Sequence, residues 1–219
     1  SEEKNKIHWC SWEKMTQGKK WGGLGFKELQ SFNKALLGKQ VWRILTNPNL
    51  LVSKVLKAKY FSNVSILKCK VPKQSTRMWE SLIDSRDLVQ EGTRRKVGSD
   101  RSINIWNDRW IPGNKDGRVQ TDKPPNCDVS KVEDLIRGFW WNRHVIFSTF
   151  NKKDAEKILQ IPVSLSRRDD SNSWIHSETS QYTVKSGYKL LCDWSEQRKN
   201  KGEALGETSV ASNFSNIWK

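Results

Sequence analysis

The stretch Trp21–Leu45, WGGLGFKELQSFNKALLGKQVWRIL, decides how the rest of the chain is read. Gly22, Gly23 and Gly25 fall within four positions, which suits tight turns, positive φ or close backbone approach and excludes regular helix or strand. From Leu29 the pattern changes. Leu29, Phe32, Leu36, Val41, Ile44 and Leu45 recur at helical spacing and predict an apolar stripe, and Asn47-Pro48 ends the helix. A glycine turn feeding a basic helix invites comparison with a phosphate cradle. GGLGF lacks both the spacing of G-x-G-x-x-G and the Lys-Ser/Thr of a P-loop, so the prediction is a structural turn.

A second helix is predicted from Leu50 to Phe61, with Leu51, Val52, Val55, Leu56 and Tyr60 as its apolar stripe. The short Asn47-Pro48 connection makes the two helices antiparallel neighbours. Charge is concentrated here: residues 1–73 hold 15 Lys/Arg against 4 Asp/Glu, or +11 of the chain's net +15. Lys19, Lys20, Lys34, Lys39, Arg43, Lys54, Lys57 and Lys59 are the candidate phosphate contacts, and Trp21 and Trp42 the candidate stacking residues. Two readings of this surface stand. It neutralises a nucleic-acid backbone, or it is the solvated face of an ordinary helical hairpin with its tryptophans in the core.

Composition narrows the rest. With 219 residues, 35% apolar content and twelve tryptophans, the chain predicts several small aromatic clusters joined by polar connections. No apolar run approaches the roughly 18 residues of a membrane span. Cys10, Cys69, Cys127 and Cys192 lie too far apart for a small disulfide framework and read as reduced thiols. His8 and Cys10 have no second ligand pair for zinc.

Further along, Met78–Gln90 predicts a third helix that Gly92 ends. Thr93–Val97 and Ser102–Trp106 alternate as a hairpin about Gly98–Arg101. Ser130–Glu133 predicts a capping box and a helix through Ile136, and Trp140, Trp141, Ile146, Phe147 and Phe150 suggest another helix. Ser173–Ile175 and Gln181–Val184 form a second predicted hairpin, which leads into a helix through Trp194. Asp108 reads as a turn-capping acid. Asp169-Asp170 follows Arg167-Arg168 without the strand–turn–strand setting of a two-metal carboxylate pair, so Asp170 reads as a loop acid.

Several of these motifs resemble plant LINE-type (non-LTR) retrotransposon reverse transcriptases. The marks are Ile7-x-Trp9-x-x-Trp12, Trp21–Phe26, Phe32–Arg43, Ile105–Pro112 and Tyr182–Tyr188. The chain departs from that pattern at Gly18, Arg95, Asp100 and Ser180. The resemblance implies the region between the polymerase core and a C-terminal zinc-binding or ribonuclease H region, within an RNA-directed DNA polymerase polyprotein. No catalytic motif lies in this stretch. Magnesium and zinc are expected only in other parts of the parent, and the partners expected are RNA or DNA and those neighbouring domains, at an intracellular, nuclear site. The expected fold is mainly α with short β-hairpins (α+β) in two small loosely joined units. Residues 1–112 are read as a basic Trp-rich helical region ending in a hairpin and 113–194 as a helical region with the second hairpin. Residues 195–215 are read as a polar linker and 216–219 as the start of a truncated zinc-binding domain. Ser1 at one end and Asn216–Lys219 at the other read as cuts from something longer. A purely structural scaffold and an inactive relic of a degenerate element are the other readings of the same residues.

Overall fold

The computed structural model describes residues 15–16, 26–98, 102–114, 116–163 and 169–204. From Leu29 onward the described elements are helices α1 (Leu29–Thr46), α2 (Leu51–Tyr60), α3 (Arg77–Asp84) and α4 (Arg86–Gly92), followed by strand β1 (Thr93–Lys96). A 3-10 turn (Val132–Leu135) then leads into strands β2 (Ile136–Arg137) and β3 (Trp140–Trp141). Helices α5 (Arg143–Thr149) and α6 (Lys152–Gln160), strand β4 (Ser171–Trp174) and helix α7 (Val184–Ala204) complete the order. Among the described residues two antiparallel pairs, β1 with β4 and β2 with β3, make this an α+β fold.

Two apolar clusters hold it together. The first gathers Val41 and Trp42 of α1, Trp79 and Leu82 of α3, and Leu88 and Val89 of α4. It is closed by Trp174, Tyr182, Leu190 and Leu191 from far along the chain. The second is built from residues between Val97 and Ile161, with Ile105, Trp110, Leu135, Ile146 and Ile158 fully buried. The chain therefore leaves the first cluster through β1, completes the second, and returns through β4, which pairs with β1 at Thr93↔Trp174 through Lys96↔Ser171.

Helix α1 starts where Glu28 accepts N–H donation from Gln30 and Ser31 at 2.8 and 2.6 Å. Burial opposes the charge on that carboxylate, but the two backbone donors win and hold its pKa below the ordinary value. The buried face is Ala35, Gly38, Val41, Trp42 and Ile44, while Leu29 and Leu36 of the predicted stripe are exposed. Closeness to α7 explains this rotation. A Cβ on Gly38 would lie 2.6 Å from the Tyr182 hydroxyl, and one on Gly187 would lie 2.0 Å from it. Between these two glycines that hydroxyl donates to the Ala35 carbonyl at 2.9 Å. Small residues admit the phenol, so they and not Leu29 or Leu36 define the face.

Other predicted elements are corrected. Helix α2 buries Ser53 and Leu56 and leaves Leu51, Val52 and Val55 outside, because the neighbouring groove is filled by Tyr60 and Phe61 stacked on Trp79. The single helix predicted over 78–90 is two, broken at Ser85, whose hydroxyl and N–H both turn back to the Leu82 carbonyl. Neither predicted hairpin forms as drawn. β1 takes β4 as its partner, Asn104 bridges to Lys131 instead, and Gln181–Thr183 is not strand. Trp140 and Trp141 are strand, not helix, with Gly138 at φ +67 in the tight turn before them. The acid of the predicted capping box is Asp134, which accepts from the N–H groups of Ser130 and Lys131, and the element is one 3-10 turn. Helix α7 runs to Ala204, into the stretch expected to be a linker, since Glu, Gln, Arg and Lys are good helix formers whatever their polarity.

Candidate nucleic-acid interface

Helices α1 and α2 present the predicted basic surface. Arg43, Lys54, Lys57 and Lys59 are exposed, and Lys34 and Lys39 are half-buried. None of the six pairs with a carboxylate among the described residues. Their freedom differs. Lys39 Nζ donates to the Tyr182 carbonyl at 2.7 Å and so fastens α1 to the segment before α7. Lys59 Nζ lies 5.1 Å from the Tyr60 ring centre. Arg43, Lys54 and Lys57 keep their charges in solvent, where a phosphate could reach them. Lys19, Lys20 and Trp21 lie outside the described residues, as do the Gly22–Gly25 turn, the Ile7–Trp12 motif and Asn216–Lys219. Phe26 N donates to the Met15 carbonyl at 3.0 Å.

Trp42 is no stacking platform. It is 1% exposed, with Trp174 edge-on at 6.0 Å, Tyr182 stacked at 6.3 Å and its Nε1 directed at Gln181. With both ring faces covered, a base has nowhere to stack.

The carboxylates are structural. Asp170 accepts from Gly98 N at 2.7 Å and from the N–H and hydroxyl of Ser102, and so ties Gly98 and Ser102 to the start of β4. Asp108 accepts from Asn104 N at 2.9 Å and pairs with Lys68 at 3.3 Å. Sequence reasoning missed Asp154, which is fully buried and accepts from Gln120 N, Thr121 N, the Thr121 hydroxyl and Asn114 Nδ2 at 2.7–3.1 Å. Burial alone would raise its pKa; the surrounding donors overcome that and lower it. The signal in the sequence was slight: an Asn151-x-x-Asp154 helix start, with Asn151 as the cap. Among the described residues no three His, Cys, Asp or Glu gather as metal ligands, and no helix is long and apolar enough to cross a membrane.

Between the two clusters, Lys68, Arg95, Asn107, Asp108, Arg109 and Arg118 line a cleft of about 240 Å³. Its cations are mostly engaged: Lys68 by Asp108, Arg95 by Asp170 and Asn172, and Arg109 by Glu91 and two carbonyls. That cleft is a polar seam, and the open charge lies on α1 and α2.

The geometry defines a Trp-rich α+β protein with an uncompensated cationic helical surface and no assembled catalytic group among the described residues. Comparison with known proteins adds relatives. Over 111 residues the chain is 40% identical to an Arabidopsis thaliana protein named "Uncharacterized mitochondrial protein AtMg00310", covering 50% of this chain and 72% of that protein. Over 224 aligned positions it is 32% identical to the Arabidopsis "Putative ribonuclease H protein At1g65750", covering 99% of this chain but 34% of that longer protein. The chain belongs to the family of the first of these. No family model matches it, and no solved structure does.

Proposed function

We propose that this chain is a non-catalytic connector of a plant retroelement polyprotein of the RNA-directed DNA polymerase type, and that its α1–α2 surface holds nucleic acid. The observation that carries the reading is the set of cations on α1 and α2 without carboxylate partners, within a region of net charge +11. Such a surface neutralises phosphates and reads no sequence. Its similarity across almost its whole length to a third of a protein named for ribonuclease H supports a place inside a larger nucleic-acid enzyme. In this reading the metal-dependent steps belong to other regions of the parent, and the place of action is the nucleus; a tagged chain found in another compartment would remove that last point.

The test is binding of the 219-residue chain to single-stranded RNA and to duplex DNA across a salt series. The log–log slope should be steep, with little difference between sequences, and the triple change Lys54→Gln, Lys57→Gln, Lys59→Gln should reduce it by about 2–3. No binding at low salt, or a slope the triple change leaves alone, would overturn the proposal. One observation favours a second reading, a scaffold that packs on neighbouring domains: Leu51, Val52 and Val55 are 78%, 50% and 55% exposed on the outer side of α2. Concentration-dependent self-association abolished by Val55→Glu, with no effect of the lysine changes on RNA binding, would select it.

A further inference from the structure

Hairpin β2–β3 turns a tryptophan outward. Its register pairs Ile136 with Trp141 and Arg137 with Trp140. Successive strand residues alternate in direction, so the two pairs face opposite sides. The inward pair joins the second cluster, where Trp141 Nε1 donates to the Ile161 carbonyl at 2.7 Å and its ring lies 6.5 Å from Trp110. The outward pair is open: Trp140 is 77% exposed and Arg137 stands directly across from it. The turn that produces this has Gly138 at positive φ followed by Phe139 without it, the arrangement that suits a two-residue hairpin.

Trp140 has exposed company nearby in sequence. Phe139 in the turn is 46% exposed, and Phe147 on α5 is 49% exposed with the Arg143 guanidinium 5.9 Å from its ring centre. From Leu135 to Lys153 the sequence holds Arg137, Arg143, Lys152 and Lys153 and no Asp or Glu. Neither Arg137 nor Arg143 has a carboxylate partner among the described residues. An isolated exposed aromatic needs no explanation; a tryptophan across from one arginine and three residues before another, in a segment without acids, is a platform with a charge preference.

We infer that this hairpin is a second contact surface for single-stranded nucleic acid, with Trp140 stacking on an unpaired base and Arg137 and Arg143 meeting the flanking phosphates. The inference rests on the reading of the chain as a nucleic-acid binder but uses a different surface and asks for a different substrate. The lysines of α2 engage any phosphate backbone, whereas Trp140 needs a base face that a duplex keeps stacked. A protein partner or an anionic membrane surface would also favour exposed Trp and Arg; the repeated cations without acids favour an anionic strand, and the test separates the three.

The experiment measures fluorescence anisotropy of labelled oligouridylate, of an abasic strand of equal length and of duplex DNA, titrated with the 219-residue chain and its Trp140→Ala and Trp140→Phe variants. Trp140→Ala should weaken oligouridylate binding about 5- to 150-fold, with Trp140→Phe intermediate and the abasic strand and duplex unaffected. Because the indole is exposed, the melting curve of Trp140→Ala should match that of the parent. Equal oligouridylate affinity of Trp140→Ala and the parent overturns the inference. So does a Trp140-dependent loss of sedimentation with phosphatidylserine vesicles, or of self-association, in place of the oligouridylate effect. If the lysine triple change abolishes binding while Trp140→Ala does not alter it, this inference alone fails. If the unmodified chain binds no strand at low salt, both fail.

Discussion

Replacing Asp154 tests whether a buried carboxylate organises the second cluster. Its oxygens collect the N–H groups of Gln120 and Thr121, the Thr121 hydroxyl and the Asn114 amide. Asp154→Ala strands at least the two backbone donors, and each unsatisfied buried N–H costs about 1–3 kcal/mol, so the loss is about 2–6 kcal/mol. At an m-value of about 2 kcal/mol/M the urea midpoint should fall by about 1–3 M. The pH dependence is a second signature. The folded-state pKa lies below the unfolded value, so the carboxylate's contribution is present above about pH 4 and is lost as pH falls through the lowered folded pKa. Urea denaturation of both proteins from pH 7 to pH 2, followed by circular dichroism, should therefore show the gap narrowing on the acid side. A midpoint unchanged at pH 7, or a gap of constant size down to pH 2, would refute the account.

Other outcomes follow from the packing of the first cluster. Gly92→Ala would place a methyl group 2.2–2.8 Å from three ring carbons of Trp174, which Trp42, Tyr182 and a 2.9 Å bond to the Ser186 hydroxyl hold in place. It should cost about 1–3 kcal/mol and lower the Tm by about 3–10 °C; an unchanged melting curve would show that the ring can yield. Trp42→Ala should cost about 3–5 kcal/mol of stability, while the affinity for RNA per folded molecule stays the same. A stable Trp42→Ala that has lost RNA affinity would return Trp42 to the interface.

The helices were legible where hydrophobic spacing and stop signals agreed. α1 begins at Leu29 and ends at Thr46, just before Asn47-Pro48, as the pattern predicts. What periodicity could not supply was the facing. Leu29 and Leu36 carry the larger hydrophobic signal, yet Gly38 and Ala35 are buried, because the deciding partner is a phenol supplied almost 150 residues later. β1 and β4 were located but wrongly married for a related reason, while β2 and β3 were read as helix. Local alternation identifies Thr93–Lys96 as extended, and nearness in sequence proposes 102–106 as its mate, but the register is settled by Trp174 packing on Gly92. Of the interface, the cations on α2 were legible as charge, and Trp42 was legible both as core and as platform until its burial decided for core. The outward turn of Trp140 depends on a two-residue loop whose effect shows only once Trp141 is seen to face the second cluster.

The return of the chain through β4 orders its assembly in time. Residues 97–161 carry everything the second cluster needs, so that cluster can close as soon as they have left the ribosome. The first cluster starts earlier in the sequence and finishes later. Until Trp174, Tyr182 and Leu191 arrive, Trp42 and Val89 lack the side chains that cover them. During synthesis the basic helices must therefore wait, incompletely buried, behind a middle section that is already whole, and the most aggregation-prone interval falls between the emergence of β1 and that of α7.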